Sequence, residues 1–506
     1  MKKASLLKIV GAVAAINLLS RLLGFLREVL IGYHLGTSTE ADSVITAFTI
    51  PNFLYMVVGG ALTTAFISVY QKGTTKEKQE LQEVIFSYIF VIFSVLSVTM
   101  ILAPQWWIGI FFPGLDDEEW KQTSQWFQMM GASSVFFVLS MYFSGVLNVH
   151  EKFRVSAVAP LINNALVLLV AILLFPLIGG AAYSWGVLLG SVVMAFILFR
   201  SIRVNDFFQP RLRWTVANKE LMNRYLKIAV PILLGGATLQ FYFLMQRVFA
   251  SYLEDGLLAA LNYSSKLVQL PQTVLMTAVT TVIYPLITKK MGEGKQGELA
   301  SIYQKGISML LFFMIPFSVL LYVLAEEVIT VVYEYGAFSS TSTVVTAQLL
   351  EIFVIGMFAH AANVYVTRFF YAAEQAVFPV VSGILSVFGV NVAVVMMFIH
   401  LYEAEAVAWG TTIGAYVQLL ILGMVAWKKF HYSFQTVKQI GQWFILVGGL
   451  YGVTLALHHG LGWIPSVYVQ VIILSGLTLL VYVCFCLLLR LDIMNEVIAK
   501  LKRKGS

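Results

Sequence analysis

Charge is what this sequence has least of. Asp, Glu, Lys and Arg make up only 12% of its 506 residues, about half the share in a soluble globular domain. A water-soluble core wrapped in a charged shell is therefore excluded. Cysteine is nearly absent as well: Cys484 and Cys486 are the whole complement, which rules out a disulfide framework and offers no metal-ligand spacing. No G-x-x-x-x-G-K-[ST] loop occurs, and no polar stretch is long enough to fold a nucleotide-binding domain, so the chain is not an ATP-driven machine. His150-Glu151 lacks the second His of a zinc helix. These absences leave no cofactor and no metal to expect.

What is abundant is apolar surface, at 59% of residues. Runs long enough to cross about 30 Å of hydrocarbon as helices recur throughout. About fourteen are legible, near residues 7–32, 42–70, 82–104, 123–148, 154–177, 180–202, 226–250, 258–287, 304–325, 341–370, 376–399, 405–427, 439–458 and 467–490. They lack the two-residue alternation of an outer-membrane barrel, and a spanning helix satisfies its own backbone groups. The first run continues through Arg21 and Arg27 and so reads as a retained helix rather than a signal peptide. Alternate gaps between runs carry the basic residues: Lys72, Lys76 and Lys78, then Lys152 and Arg154, then Arg200 to Arg224, Lys289 to Lys295, Lys428 to Lys438, and a tail at Lys500 to Lys504. The opposite gaps hold only Lys121 among many acids. This is the positive-inside pattern, and it predicts cytoplasmic N- and C-termini. The net charge of +7 thus follows topology and gives no support for a nucleic-acid partner.

The expected fold class is an all-α polytopic membrane protein with two six-helix lobes and two extra C-terminal helices. The lobes are residues 1–202 and 226–430, the linker is 203–225, and the appended helices with the basic tail are 431–506. Within the linker, Trp214–Tyr225 reads as an amphipathic piece lying on the inner membrane surface. Six is an even number, so both lobes begin inside and share one orientation, as parallel repeats do. A weak internal match supports this: shifting the chain by 220 positions lays Arg27 on Arg247, Asp42 on Asn262 and Pro51 on Pro271. The two paired prolines are candidate hinge positions, because proline frees a carbonyl and kinks a helix.

Charges within spans are costly unless they face a cavity or a partner. Arg21 lies about 20 Å along the helix from Lys8, and Lys266 about 13 Å below the outer end of the eighth span, at 1.5 Å per residue. Arg27 and Arg247 lie nearer the outer surface, where snorkelling competes with cavity lining. Structural pairing of Arg27 with Asp42, or of Arg21 with Glu28 on one helix face, is the plainer alternative. Asp42 also stands where it could cap the second helix. A cluster of Arg and Lys in a low-dielectric cavity suits an anion with several oxygens, above all a diphosphate. Ser20, Asn52 and Gln269 stand nearby to hydrogen-bond sugar or peptide, or simply to join helices.

Ser20-Arg21-Leu22-Leu23-Gly24-Phe25-Leu26-Arg27-Glu28 resembles the opening signature of the MurJ (MviN) family. Ala41-Asp42, Pro51-Asn52, Leu261 to Leu267 and Arg368 to Ala372 are similar to its later helices. The resemblance covers the whole chain. It implies the exporter fold of the multidrug/oligosaccharidyl-lipid/polysaccharide superfamily and a flippase for lipid II, the undecaprenyl-diphosphate-linked cell-wall precursor, in the bacterial cytoplasmic membrane. Membrane lipids and the peptidoglycan synthesis machinery are the partners it implies. Family cavity cations fall on Arg27 and Lys266, with Arg21, Asp42 and Pro51 also at family positions. Lys266 replaces the usual Arg. Tyr55-Met56 replaces a common Arg pair, Gly60 an acid, and Gln246 an acid of a sodium site, so neither a third cavity cation nor sodium coupling carries over. These departures leave a Wzx-like exporter of another polyprenyl-diphosphate oligosaccharide as the alternative. A membrane-embedded glycosyltransferase would need a catalytic group on a large outer loop, and Asp116–Glu119 lies in a short one. A non-transporting scaffold is argued against by the retained cations.

Overall fold

The computed structural model describes residues 3–70, 74–215, 219–235, 238–279, 283–433 and 437–494. Lys72 and the basic tail at 500–504, which entered the topology argument, lie outside the described residues. Among those described, the secondary structure is helical, with no strand. The order is α1 (Lys3–Leu35), α2 (Thr39–Phe53), a π-helical stretch (Leu54–Gly59), α3 (Gly60–Tyr70), α4 (Thr75–Leu102), α5 (Pro104–Phe111), α6 (Asp117–Val149), α7 (Phe153–Ile178), α8 (Ala181–Val204), α9 (Lys219–Gly235) and α10 (Thr238–Ala250). Then come α11 (Leu257–Ala278), α12 (Tyr284–Gly292), α13 (Gln296–Val323), α14 (Ala325–Tyr333), α15 (Ser340–Ala372), α16 (Val377–Ile384), a second π stretch (Leu385–Asn391), α17 (Val392–Phe430), α18 (Val437–Gly460) and α19 (Val467–Leu488).

Ten helices among the described residues are long and apolar enough to cross a membrane. One of them, Val377–Phe430, has 54 residues, and its helical backbone breaks at Glu403 (φ 42°), so it has the length for two passages. With α1, α9–α10 and α11–α12, which coincide with three further apolar runs, the arrangement is compatible with fourteen.

The chain forms two compact units, Met1–Ala259 and Ala260–Ser506. In the first, α7 packs along α8, α6 lies against α2, α4 and α8, and α1 lies along α7. Here α9 packs on α3 and α10 touches α2, so the seventh apolar run belongs to the first compact unit. In the second unit, α15 is central, with α13, α14 and α17 around it. The appended α18 and α19 dock on α13 through a buried cluster of Ile315, Val319, Trp443, Leu446, Leu450 and Tyr482.

Element lengths repeat between the units. α4 and α13 both have 28 residues, and α6 and α15 both have 33. A short helix, α5 or α14, stands between the members of each set. Packing details repeat too. A Cβ on Gly190 would lie 2.7 Å from Asn163 Oδ1, and one on Gly410 would lie 2.5 Å from Asn391 Oδ1. In each unit an Asn on one helix thus presses into a glycine gap on the next.

The segment after α8 departs from the sequence expectation. Trp214 is not helical, and 216–218 of the expected amphipathic piece lie outside the described residues. Residues 207–215 are instead strapped to the N-terminal half of α4 and the C-terminal end of α6. The Arg213 guanidinium lies 2.9 Å from Glu80 and 3.5 Å from Glu83, its backbone N–H donates to Ser87 Oγ (2.7 Å), and Tyr88 donates to the Trp214 carbonyl. Phe208 is buried edge-on against Phe86 and Tyr142, and His150 stacks flat on Phe207 at 4.1 Å. Phe208 supplies the buried anchor of this segment, while Trp214 stays largely exposed.

Candidate functional site

Charged groups meet inside the first unit. Arg27, Glu28 and Ile31 project from α1, Ile45 and Phe48 from α2, Tyr183 and Val187 from α8, and Arg247 from α10. Together they line a narrow recess. As it stands it has room for about one water molecule, so a larger anion enters only if the surrounding helices move apart. Spacing explains the convergence. Arg27 and Ile31 are one turn apart on α1, as are Ile45 and Thr49 on α2.

Arg27 Nη2 lies 2.6 Å from Glu28 Oε1, and their side chains are only 15% and 6% exposed. The Arg27 guanidinium stacks over the Phe48 ring at 4.7 Å, an arrangement that favours cations on aromatic faces. Arg247 Nη1 donates to Thr49 Oγ1 at 2.9 Å, and Thr49 in turn donates to the Ile45 carbonyl. The charged groups that line it are two guanidiniums and one carboxylate, a set whose N–H donors suit an anion with several oxygens. Arg27 thus turns inward with Glu28 as its partner, whereas the pairings considered from sequence were with Asp42 and, for Glu28, with Arg21.

The other residues named from sequence fall elsewhere. Asp42 is buried, and its two oxygens accept N–H bonds from Gly256 (2.6 Å) and Ala259 (2.7 Å) at the start of α11. The cap of its own helix is Ser38, whose Oγ accepts from Ala41 N. Asp42 therefore caps a different helix from the one expected. Ser20 is buried and accepts from Asn164 Nδ2 through both its carbonyl and its hydroxyl, tying α1 to α7. Arg21 is exposed on α1, outside the recess, and Asn52 is half-buried one turn beyond Phe48. Pro51 is buried inside α2, and the π stretch begins three residues later, as expected where a missing N–H disturbs the helical ladder. In the second unit, Lys266 and Gln269 are half-buried on α11 with Pro271 two residues further on.

Most of the lining residues were not singled out from sequence, Tyr183 among them, and Glu28 entered only as a partner for Arg21. Glu28 carried a usable signal, since a carboxylate inside an apolar helix is rare. Tyr183 and Phe48 carried none, because aromatic residues are common throughout such spans.

Apolar helices of spanning length in an internally repeated architecture define a multi-pass membrane protein. Among solved structures, one described as lipid II flippase MurJ in an inward closed conformation superposes with a TM-score of 0.82 at 22% identity, covering 94% of this chain and 98% of that one. An inward-facing MATE family transporter of the MOP superfamily superposes at 0.69 with 14% identity, covering 83% and 98%. The family model described as lipid II flippase MurJ matches residues 31–487. A probable lipid II flippase MurJ of Rhizobium tropici is 30% identical over 449 residues, covering 84% of this chain and 83% of the relative. Its counterpart in Rhizobium meliloti (strain 1021) is 28% identical over 444 residues, covering 84% and 81%. The chain belongs to the MurJ family of lipid II flippases. That is a family of transporters, not of catalysts.

Proposed function

We propose that this protein moves lipid II from the inner to the outer leaflet of the bacterial cytoplasmic membrane by alternating access, with both termini on the cytoplasmic side. The observation that carries this reading is the convergence of Arg27 and Arg247, positions 220 apart and superposed by the internal repeat, on one recess beside Glu28. The diphosphate of the substrate binds there as a chelated anion while the polyprenyl chain stays in lipid, where its burial costs nothing. Glu28 holds Arg27 in place when no substrate is bound. Two six-helix lobes rock about the cavity, with Pro51 and Pro271 as points of bending. Lys266 and Arg21 supply further cations along the path, and Ser20, Asn52 and Gln269 line it with polar groups. Asp42, holding the start of α11, fastens the outer ends of α2 and α11 together in one half of the cycle.

The test is depletion in cells, with lipid-linked intermediates quantified in each leaflet. Lipid II should accumulate in the inner leaflet, and Lys266→Ala should fail to restore its transfer while remaining in the membrane. Accumulation of another polyprenyl-linked glycan in its place would reassign the substrate. Unchanged leaflet distributions would refute transport.

A further inference from the structure

One polar contact at the recess lies outside the charge arrangement. Tyr183 is buried, lines the recess, and its hydroxyl is within electrostatic reach of both Arg27 and Glu28. That hydroxyl lies 2.9 Å from His34 Nδ1. The His34 ring is itself clamped: it stacks on Phe175 at 3.9 Å with 13° between planes, and Tyr33 and Tyr183 meet it at steeper angles. His34 stands in the last turn of α1, seven residues beyond Arg27 and so on the same face. The imidazole therefore cannot turn away from the tyrosine.

We propose that Tyr183 is a neutral hydrogen-bond donor to the bound diphosphate and that His34 is the positioning residue that sets the direction of its hydroxyl proton. This rests on the reading of the recess as a diphosphate site. A hydroxyl has one proton to give. When His34 is neutral with a bare Nδ1, Tyr183 donates to it, and the phenol oxygen presents only lone pairs to the recess. When His34 is protonated, Nδ1–H donates to the phenol oxygen, and the Tyr183 proton turns to the recess. Binding then strengthens as His34 gains its proton. The charged or titratable groups near this end of α1 are few. α1 carries Tyr33, Arg27 and Glu28, the first turn of α2 carries Glu40 and Asp42, Glu119 at the start of α6 and Asp255 before α11 lie within reach of Asp42, and α10 carries Arg247. α8 contributes Tyr183 and α7 the uncharged Phe175; Arg200 and Arg203 of α8 and Arg154 of α7 lie toward the opposite ends of those helices, and Arg21 lies well back along α1.

The full-length protein in nanodiscs is titrated with geranylgeranyl diphosphate between about pH 5.5 and 8, the range in which imidazole changes charge. The reference is Tyr183→Phe, which keeps the ring and the packing and shares every other titration, including those of Glu28 and of the diphosphate. Relative to that variant, the wild type should gain about tenfold in affinity toward acid pH, the size of one hydrogen bond to a charged acceptor. His34→Lys, which donates at every pH and accepts at none, should keep the gain across the range. Parallel wild-type and Tyr183→Phe profiles, within twofold, overturn the proposal even if His34→Lys fails to fold. If those profiles are parallel while Arg27→Ala still loses binding, only the roles of Tyr183 and His34 fall. If the wild type binds no diphosphate at any pH, the reading of the recess falls first and this one with it.

Discussion

Arg27 is held by a carboxylate on the adjacent residue and by an aromatic face, and each contact predicts a distinct result. Glu28→Gln removes the resident counter-ion, so two guanidiniums face the recess with no anion between them. Affinity for a diphosphate should rise while thermal stability without ligand falls, measured by titration and by unfolding in detergent. A lower affinity would mean that Glu28 contacts the substrate as an acceptor. Gly256 is decided by geometry rather than charge. Its φ is +84°, and a Cβ there would stand 2.3 Å from the Thr37 carbonyl oxygen. Gly256→Ala must therefore displace the turn whose N–H bonds Asp42, at a cost of about 2 kcal/mol or more. The thermal midpoint should drop, and a cysteine placed at Thr39 should become more reactive toward a membrane-impermeant thiol reagent added from outside.

The segment 207–215 behaves as a structural element without being helical or extended. Besides its backbone and aromatic contacts, it is held by one guanidinium, 37% exposed, shared by two carboxylates that are 5% and 6% exposed. Arg213→Ala removes the guanidinium that both acids share. Because the Arg is partly screened by solvent, about 1–3 kcal/mol is a reasonable loss. Adding Glu80→Gln and Glu83→Gln should recover most of it, as read by thermal unfolding. The same strap predicts a pH response. Burial, reinforced by Lys78, pushes the His150 imidazole below its ordinary value. A depressed folded-state value favours the neutral ring, so its contribution is complete above the usual imidazole value of about 6.5 and is lost as pH falls below it. Protease sensitivity of the strap should rise on acidification in the wild type and change less in His150→Asn. An equal response in both would remove His150 from the account.

At the scale of the whole molecule, hydropathy and charge placement alone determined a great deal. They implied helices rather than a barrel, the number of apolar runs, two appended helices, and an offset near 220. The equal lengths of α4 and α13 and of α6 and α15 agree with that offset. These features were legible because each is a local property: a run of apolar residues must become a helix in hydrocarbon, and a basic loop stays on the side it was made. Candidate cations were legible for the same reason, since a charge in such a run is conspicuous by itself. Their partners were not. Whether Arg27 snorkels, pairs with Asp42 or turns to Glu28 depends on the rotation of α1 and on what α2, α8 and α10 bring to that depth. Asp42 finds its backbone donors more than 200 residues away in the sequence, and Tyr183 meets His34 across a separation of 149. Composition and period carry no information about such distances. Sequence determined which charged groups lie within apolar runs and how far along them; only the packing of helices decided which of them face one another, because side-chain direction about a helix axis is settled by its neighbours.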